Sequence, residues 1–110
     1  MYRLSIAAFA EDPRAISRFI EELKRVLSRE CRCVDLAYAN AVCECRASLV
    51  TIGLSMDSSL RRLAASPDIV RTALKVEIVI ASSNASDVVD IASIVRDVAK
   101  SVGVGVRASA

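Results

Sequence analysis

The chain of 110 residues contains no histidine and no tryptophan, and aromatic residues make up only 4% of it. Without histidine the chain lacks the usual general base, and every catalytic or metal triad built on an imidazole is excluded. A glycine-rich phosphate loop is also missing, because Val102–Val106 carries only two glycines and follows a predicted helix instead of preceding one. We therefore predict that the protein is not an enzyme and uses no cofactor.

Long hydrophobic runs and an excess of one charge are absent too. No stretch approaches the roughly 20 apolar residues of a membrane helix, and Glu11-Asp12-Pro13 follows the first strand too early for a signal peptide. We expect a cytoplasmic protein without a membrane partner. The formal net charge is only +2, whereas 54% of the residues are hydrophobic. This composition predicts a face covered by a protein partner, most simply by a second copy.

The apolar periodicity predicts one α+β domain over residues 1–110. The order of elements is β-α-β-β-α-β-α-β. Its first six members have the order of a ferredoxin-like sandwich, in which helices cover one face of an antiparallel sheet, and the last helix and short strand extend it. The predicted strands are 2–9, 31–39, 41–54, 74–81 and 104–107, and the predicted helices are 13–29, 58–65 and 85–102.

A shift of 72 residues places the first strand–helix unit on the last. Each unit has a capping residue before its helix, Asp12 in the first and Asn84 in the second. Common periodicity would explain the similarity as well as a true duplication would. Either origin predicts two similar units that flank a central hairpin. The corresponding strand positions are Leu4, Ile6 and Ala8 in the first unit and Val76, Ile78 and Ile80 in the second.

All four cysteines lie in that hairpin, as the pairs Cys31-Arg32-Cys33 and Cys43-Glu44-Cys45. If the chain folds back near Tyr38, with Asn40 as the best turn residue, Cys33 lies opposite Cys43 and Cys31 opposite Cys45, with all four sulfurs on one face. Along the second strand the apolar parity changes after Leu49. We interpret this change as a bulge near Val50–Thr51.

Three states of the cysteines remain open. Buried free thiols are favoured, because cysteine packs as a small hydrophobe and these share a predicted face with Ala47 and Leu49. Cross-strand disulfides suit the geometry, although in the cytoplasm they are common only in hyperthermophiles. A four-thiolate metal site formed by Cys31, Cys33, Cys43 and Cys45 has the right ligand number, but C-x-C spacing on a strand suits it poorly.

Nucleic-acid contact is a separate hypothesis. Arg61, Arg62 and Arg71 would form a small basic patch, and Phe9 and Tyr38 could stack on bases if the sheet face is open. These residues make RNA a possible partner, although a solvated helix surface is the simpler interpretation of the arginines.

The segment Val76–Val102 resembles the strand–helix end of small archaeal subunits of tRNA-modifying complexes. The resemblance covers about a quarter of the chain and implies an accessory role in RNA processing or modification. Our leading hypothesis is a non-catalytic interaction module that self-associates or serves as a small subunit of a larger complex. RNA binding is the alternative, and a metal-stabilised domain is a weaker one.

Overall fold

The computed structural model of the protein describes residues 1–36, 40–55 and 75–109. Its strands form a six-stranded sheet in the order β2-β3-β4-β5-β1-β6, and every neighbouring pair is antiparallel. The elements in chain order are β1 (Tyr2–Phe9), α1 (Pro13–Leu27), β2 (Arg32–Asp35), β3 (Ala41–Cys45), β4 (Ser48–Ser55), β5 (Lys75–Ser82), α2 (Ala85–Val102) and β6 (Gly105–Ser109).

The predicted α+β class is confirmed, but the ferredoxin-like order is not matched. Three described strands follow α1 in succession, because the stretch predicted as one strand over 41–54 is two strands, β3 and β4. The predicted helix 58–65 lies outside the described residues.

A tight turn at Arg46 and Ala47 separates β3 from β4, and Cys45 pairs with Ser48 across it. Two residues in a hairpin turn shift the inward positions from odd to even numbers. This turn, and not a bulge near Val50–Thr51, causes the change of apolar parity. The cysteines consequently share their face with Val50 and Ile52, and Leu49 lies on the opposite face, 44% exposed.

Both helices pack on the face of the sheet that carries these buried side chains. Asp12 caps α1 by accepting a hydrogen bond from the Arg14 N–H, and Asn84 caps α2 in the same way from the Ser86 N–H. Gly103 ends α2 in the left-handed conformation, with φ 76°. The largest fully buried side chains of this core are Phe19, Leu23, Ile52, Ile78 and Ile80.

The two strand–helix units lie side by side with a two-fold topology. β1 pairs with β5 so that Ile6 lies opposite Ile78, the residue 72 positions later. β4 flanks β5 as β6 flanks β1, and α1 contacts α2. Through their pairing with β5 and β1, Val50 and Val106 occupy corresponding positions in the two units, and they are only 56 residues apart in sequence. The difference between the two offsets equals the length of residues 32–47, so the β2–β3 hairpin is the element that one half has and the other lacks.

Candidate functional site

The cysteine hairpin, residues 31–35 and 41–45, contains both disulfides of the structure. Cys31 is bonded to Cys45 with an S–S distance of 2.04 Å, and Cys33 to Cys43 with 2.08 Å. Cys33 and Cys43 are direct partners in the sheet, and the opposition predicted by the fold-back is therefore present. No free cysteine occurs in the described chain, in contrast to the favoured interpretation of buried thiols.

The two bonds differ in their surroundings. Cys43 is fully buried in the core beneath α1, while Cys31, Cys33 and Cys45 are half-buried. With all four sulfurs in disulfides no thiolate is left to ligate a metal, and the described residues contain no cluster of His, Cys, Asp and Glu that could hold one. Asp35, the last residue of β2, lies on the same face as the cysteines and forms a salt bridge of 3.0 Å with Lys24 on α1.

A cleft of about 420 Å³ lies beside the Cys31–Cys45 bond. It is formed by the end of α1, the β3–β4 turn and the first turns of α2, and Val26, Ile91 and Ile94 give it apolar walls. Five charged residues also line it, namely Arg29, Glu30, Arg46, Asp87 and Asp90. The cleft thus joins a half-buried disulfide, apolar surface and charges of both signs in one place.

The charged residues of the cleft differ from those of α1. None of the five forms an ion pair with another described residue. On α1, by contrast, the Arg25 side chain donates hydrogen bonds to Glu22 and lowers the pKa of that carboxyl group. The hydrogen bond from Lys24 to Asp35 likewise raises the pKa of the Lys24 ammonium group. These side chains of α1 therefore have charged partners, whereas the five cleft side chains have no ion-pair partner among the described residues.

The second candidate surface is the open face, the side of the sheet opposite the helices. No described element covers it. Its β2–β4 half is largely aliphatic: Val34 and Leu36 are each 54% exposed and Leu49 is 44% exposed. Arg32 and Glu44 are partners on neighbouring strands here, so that this half carries no net charge. Exposed aliphatic surface of this kind is typical of a contact with another protein.

The β5–β1–β6 half of the open face is basic. Phe9 is 43% exposed, and the Lys75 ammonium group lies 5.9 Å from the centre of its ring. Arg3 and Arg107 stand on the same face, and Glu77 is its one acidic residue among those described. An aromatic ring beside several cations could accept a base and its phosphate.

The residues predicted to contact RNA are only partly placed. Arg61, Arg62, Arg71 and Tyr38 lie outside the described residues. Phe9 does lie on the open face, as the sequence hypothesis requires. Sequence reasoning missed the rest of this face, although apolar residues at odd positions of several strands, Val79 for example, indicated that both sides of the sheet are partly apolar.

Comparison with models of known protein families found no match, and no curated protein matched the chain. Within the described part of the chain, neither helix has both the length and the apolar character needed to cross a membrane.

Proposed function

We propose that the protein is a non-catalytic interaction module that self-associates through the open face of its sheet. The observation that carries this proposal is the exposed aliphatic surface of Val34, Leu36 and Leu49, which no described element covers. Burying such side chains removes apolar area from water at about 25 cal/mol per Å². A second copy is the partner that we propose, and the pairing of Glu44 with Arg3 supports it.

One pair of opposite charges, Glu44 and Arg3, comes together when two copies pack sheet on sheet. Packed sheets keep their strands within about 30° of each other, and a two-fold axis along the strands lays β3 of one copy over β1 of the other. Glu44 and Arg3 lie in one cross-strand row, which runs through Leu49 and Ala81. Glu44 of each copy would therefore meet Arg3 of the other, and Leu49 would meet Ala81.

The size of the face limits the strength of this contact. With strands about 4.8 Å apart and about 3.3 Å per residue, the six described strands present roughly 400–600 Å² of flat surface. Stable specific interfaces bury about 800 Å² on each partner. We therefore expect a reversible dimer whose population depends on concentration.

A charge swap tests the proposal by sedimentation equilibrium. Glu44→Arg and Arg3→Glu should each weaken the dimer by about tenfold or more, because each creates two like-charge contacts across the interface. The double variant should restore association. Glu11→Arg is the matched control, since Glu11 is exposed outside the sheet, and it should change nothing. A strict monomer at high concentration, or a double variant as weak as the singles, would refute the contact.

The alternative function is RNA binding by the basic half of the open face, favoured by Phe9 with Lys75 beside it, by Arg107 two residues along β6, and by Arg3 at the other end of β1. Three phosphate contacts to a single strand predict a slope of log K against log salt near −2. Because the same face would be used, RNA and a second copy should compete. Failure to retain a single-stranded RNA even at low salt would exclude this alternative.

A further inference from the structure

We propose that the Cys31–Cys45 disulfide is a thiol–disulfide exchange site, opened reversibly by a dithiol that enters the adjoining cleft, while the Cys33–Cys43 bond stays closed. The inference is independent of the open face and of self-association. It rests on the position of the bond, on the charges around it and on the order of the two bonds along the hairpin.

Access distinguishes the two disulfides. Both sulfur-bearing residues of the outer bond, Cys31 and Cys45, line the cleft. The inner bond is absent from its walls: Cys33 is half-buried but lies outside the cleft, and its partner Cys43 is completely shielded from solvent, so that attack on Cys33 would have to release a buried thiolate. Attack on a disulfide requires a thiolate to reach one sulfur, with the other sulfur free to leave as a thiolate. The cleft, at about 420 Å³, provides that space for the outer bond.

The charges beside the bond predict which sulfur is attacked. Arg46 follows Cys45 directly and lines the cleft with it, whereas the carboxylate of Glu30 precedes Cys31. A nearby guanidinium stabilises a thiolate, and a nearby carboxylate opposes one. Asp87 and Asp90 also line the cleft from α2, and Arg29 lines it from the end of α1. Of the two cysteines only Cys45 has a cation as its direct neighbour in the cleft lining, so Cys45 leaves as the thiolate and the incoming sulfur attacks Cys31.

The exchange proceeds in two balanced steps. The first thiolate of the dithiol bonds to Sγ of Cys31, the Cys31–Cys45 bond breaks, and its electron pair leaves on Sγ of Cys45. The second thiolate of the dithiol then attacks its own sulfur in the mixed disulfide and releases Cys31 as a thiolate. The protein gains two electrons and, on protonation of both thiolates, two protons. The dithiol loses the same number and becomes a disulfide.

The Cys33–Cys43 bond keeps the hairpin together while the Cys31–Cys45 bond is open. Cys33–Cys43 joins β2 to β3 two residue pairs farther along the hairpin than Cys31–Cys45, and the pairs Val34–Val42 and Asp35–Ala41 continue the ladder beyond it. Opening the outer bond therefore frees only the link between the end of α1 and the β3–β4 turn. These are two of the three walls of the cleft, so that reduction changes the cleft and leaves the sheet paired.

The test is timed reduction of the oxidised protein with dithiothreitol under native conditions, followed by acid quenching, alkylation and peptide mass spectrometry. Cys31 and Cys45 should be labelled several-fold faster than Cys33 and Cys43. Equal rates, labelling of the inner pair first, or four thiols labelled before any reductant is added would overturn the proposal.

Variants of two arginines test the electrostatic part. Arg46→Gln should slow reduction of the outer bond several-fold, because the leaving thiolate loses its cation. Arg32→Gln is the matched control: Arg32 adjoins two cysteines in sequence but stands on the open face, away from the cleft. Equal slowing by both variants, or slowing by neither, would show that the cleft charges do not govern the exchange.

Discussion

Two buried serines where β4 begins and β5 ends provide a quantitative test of the packing around the cleft. The Ser48 hydroxyl donates a hydrogen bond of 2.8 Å to Oγ of Ser82, which donates to the Ala47 carbonyl and accepts from the Asn84 N–H. Ser82 is fully buried and Ser48 is 6% exposed. Ser82 is thus the centre of a small network, and Ser48 depends on it.

The two alanine variants should therefore differ. In Ser82→Ala the Ser48 hydroxyl is left buried without its acceptor, whereas the Ala47 carbonyl keeps the Ser83 N–H as a donor. An unsatisfied buried group costs about 1–3 kcal/mol, and we expect a loss of about 2 kcal/mol. Ser48→Ala leaves Ser82 with both of its other partners, so that its loss should be near 1 kcal/mol.

A double-mutant cycle separates this reasoning from simple loss of packing. In the Ser48→Ala background no hydroxyl remains to be orphaned, so Ser82→Ala should then cost about 1 kcal/mol less than it does alone. Urea unfolding with the disulfides intact measures the three free energies, and the m-value should stay constant. Additive losses, or a Ser48→Ala loss as large as that of Ser82→Ala, would refute the network.

Three further predictions concern the helices. Gly103→Ala should lower the free energy of unfolding by about 1 kcal/mol, and Gly103→Asn should lower it by less. Only the positive φ disfavours a side chain there, because no atom lies within 4 Å of the added Cβ. Thermal unfolding measures both variants. Asp12→Ala and Asn84→Ala should each lower stability by about 1 kcal/mol through loss of a cap, and similar losses are expected because both accept from the N–H two residues on. The pKa of Lys24 is raised in the folded state. Its stabilising contribution is therefore fully present below its unfolded pKa and is lost as pH rises through the folded value. Urea titrations in alkaline buffer should show this loss of stability, and Lys24→Met should abolish it.

The cysteine pairing could be predicted from sequence, because period-two geometry is local. Odd-numbered cysteines on either side of a turn near Asn40 must share a face and oppose each other. The bonding state could not be predicted in the same way. It depends on whether each pair of opposed residues also comes close enough, and the Cα separations of 4.4 Å and 4.0 Å follow from strand pairing that the sequence does not specify.

The position of the β3–β4 turn could not be predicted, and this one error accounts for the wrong order of elements. Arg46 and Ala47 are not typical turn residues, and no glycine, proline or asparagine marks the site. A parity change in an apolar pattern has two physical causes, a bulge or a two-residue turn. Only the pairing of Cys45 with Ser48 distinguishes them, and that is a tertiary observation.

The two-fold topology of the sheet shows that the cysteine hairpin is an insertion in one of two similar units. Without residues 32–47 the described chain would be two strand–helix–strand units, with β1 and β5 at the centre and β4 and β6 outside. In the second unit α2 passes to β6 through only Gly103 and Val104. In the first, the hairpin occupies that connection and brings three of the four cysteines, and its root forms the cleft. The proposed exchange site therefore lies where the two halves differ, whereas the inner face of the symmetric centre is part of the core, with Ile6, Ile78 and their neighbours beneath the helices.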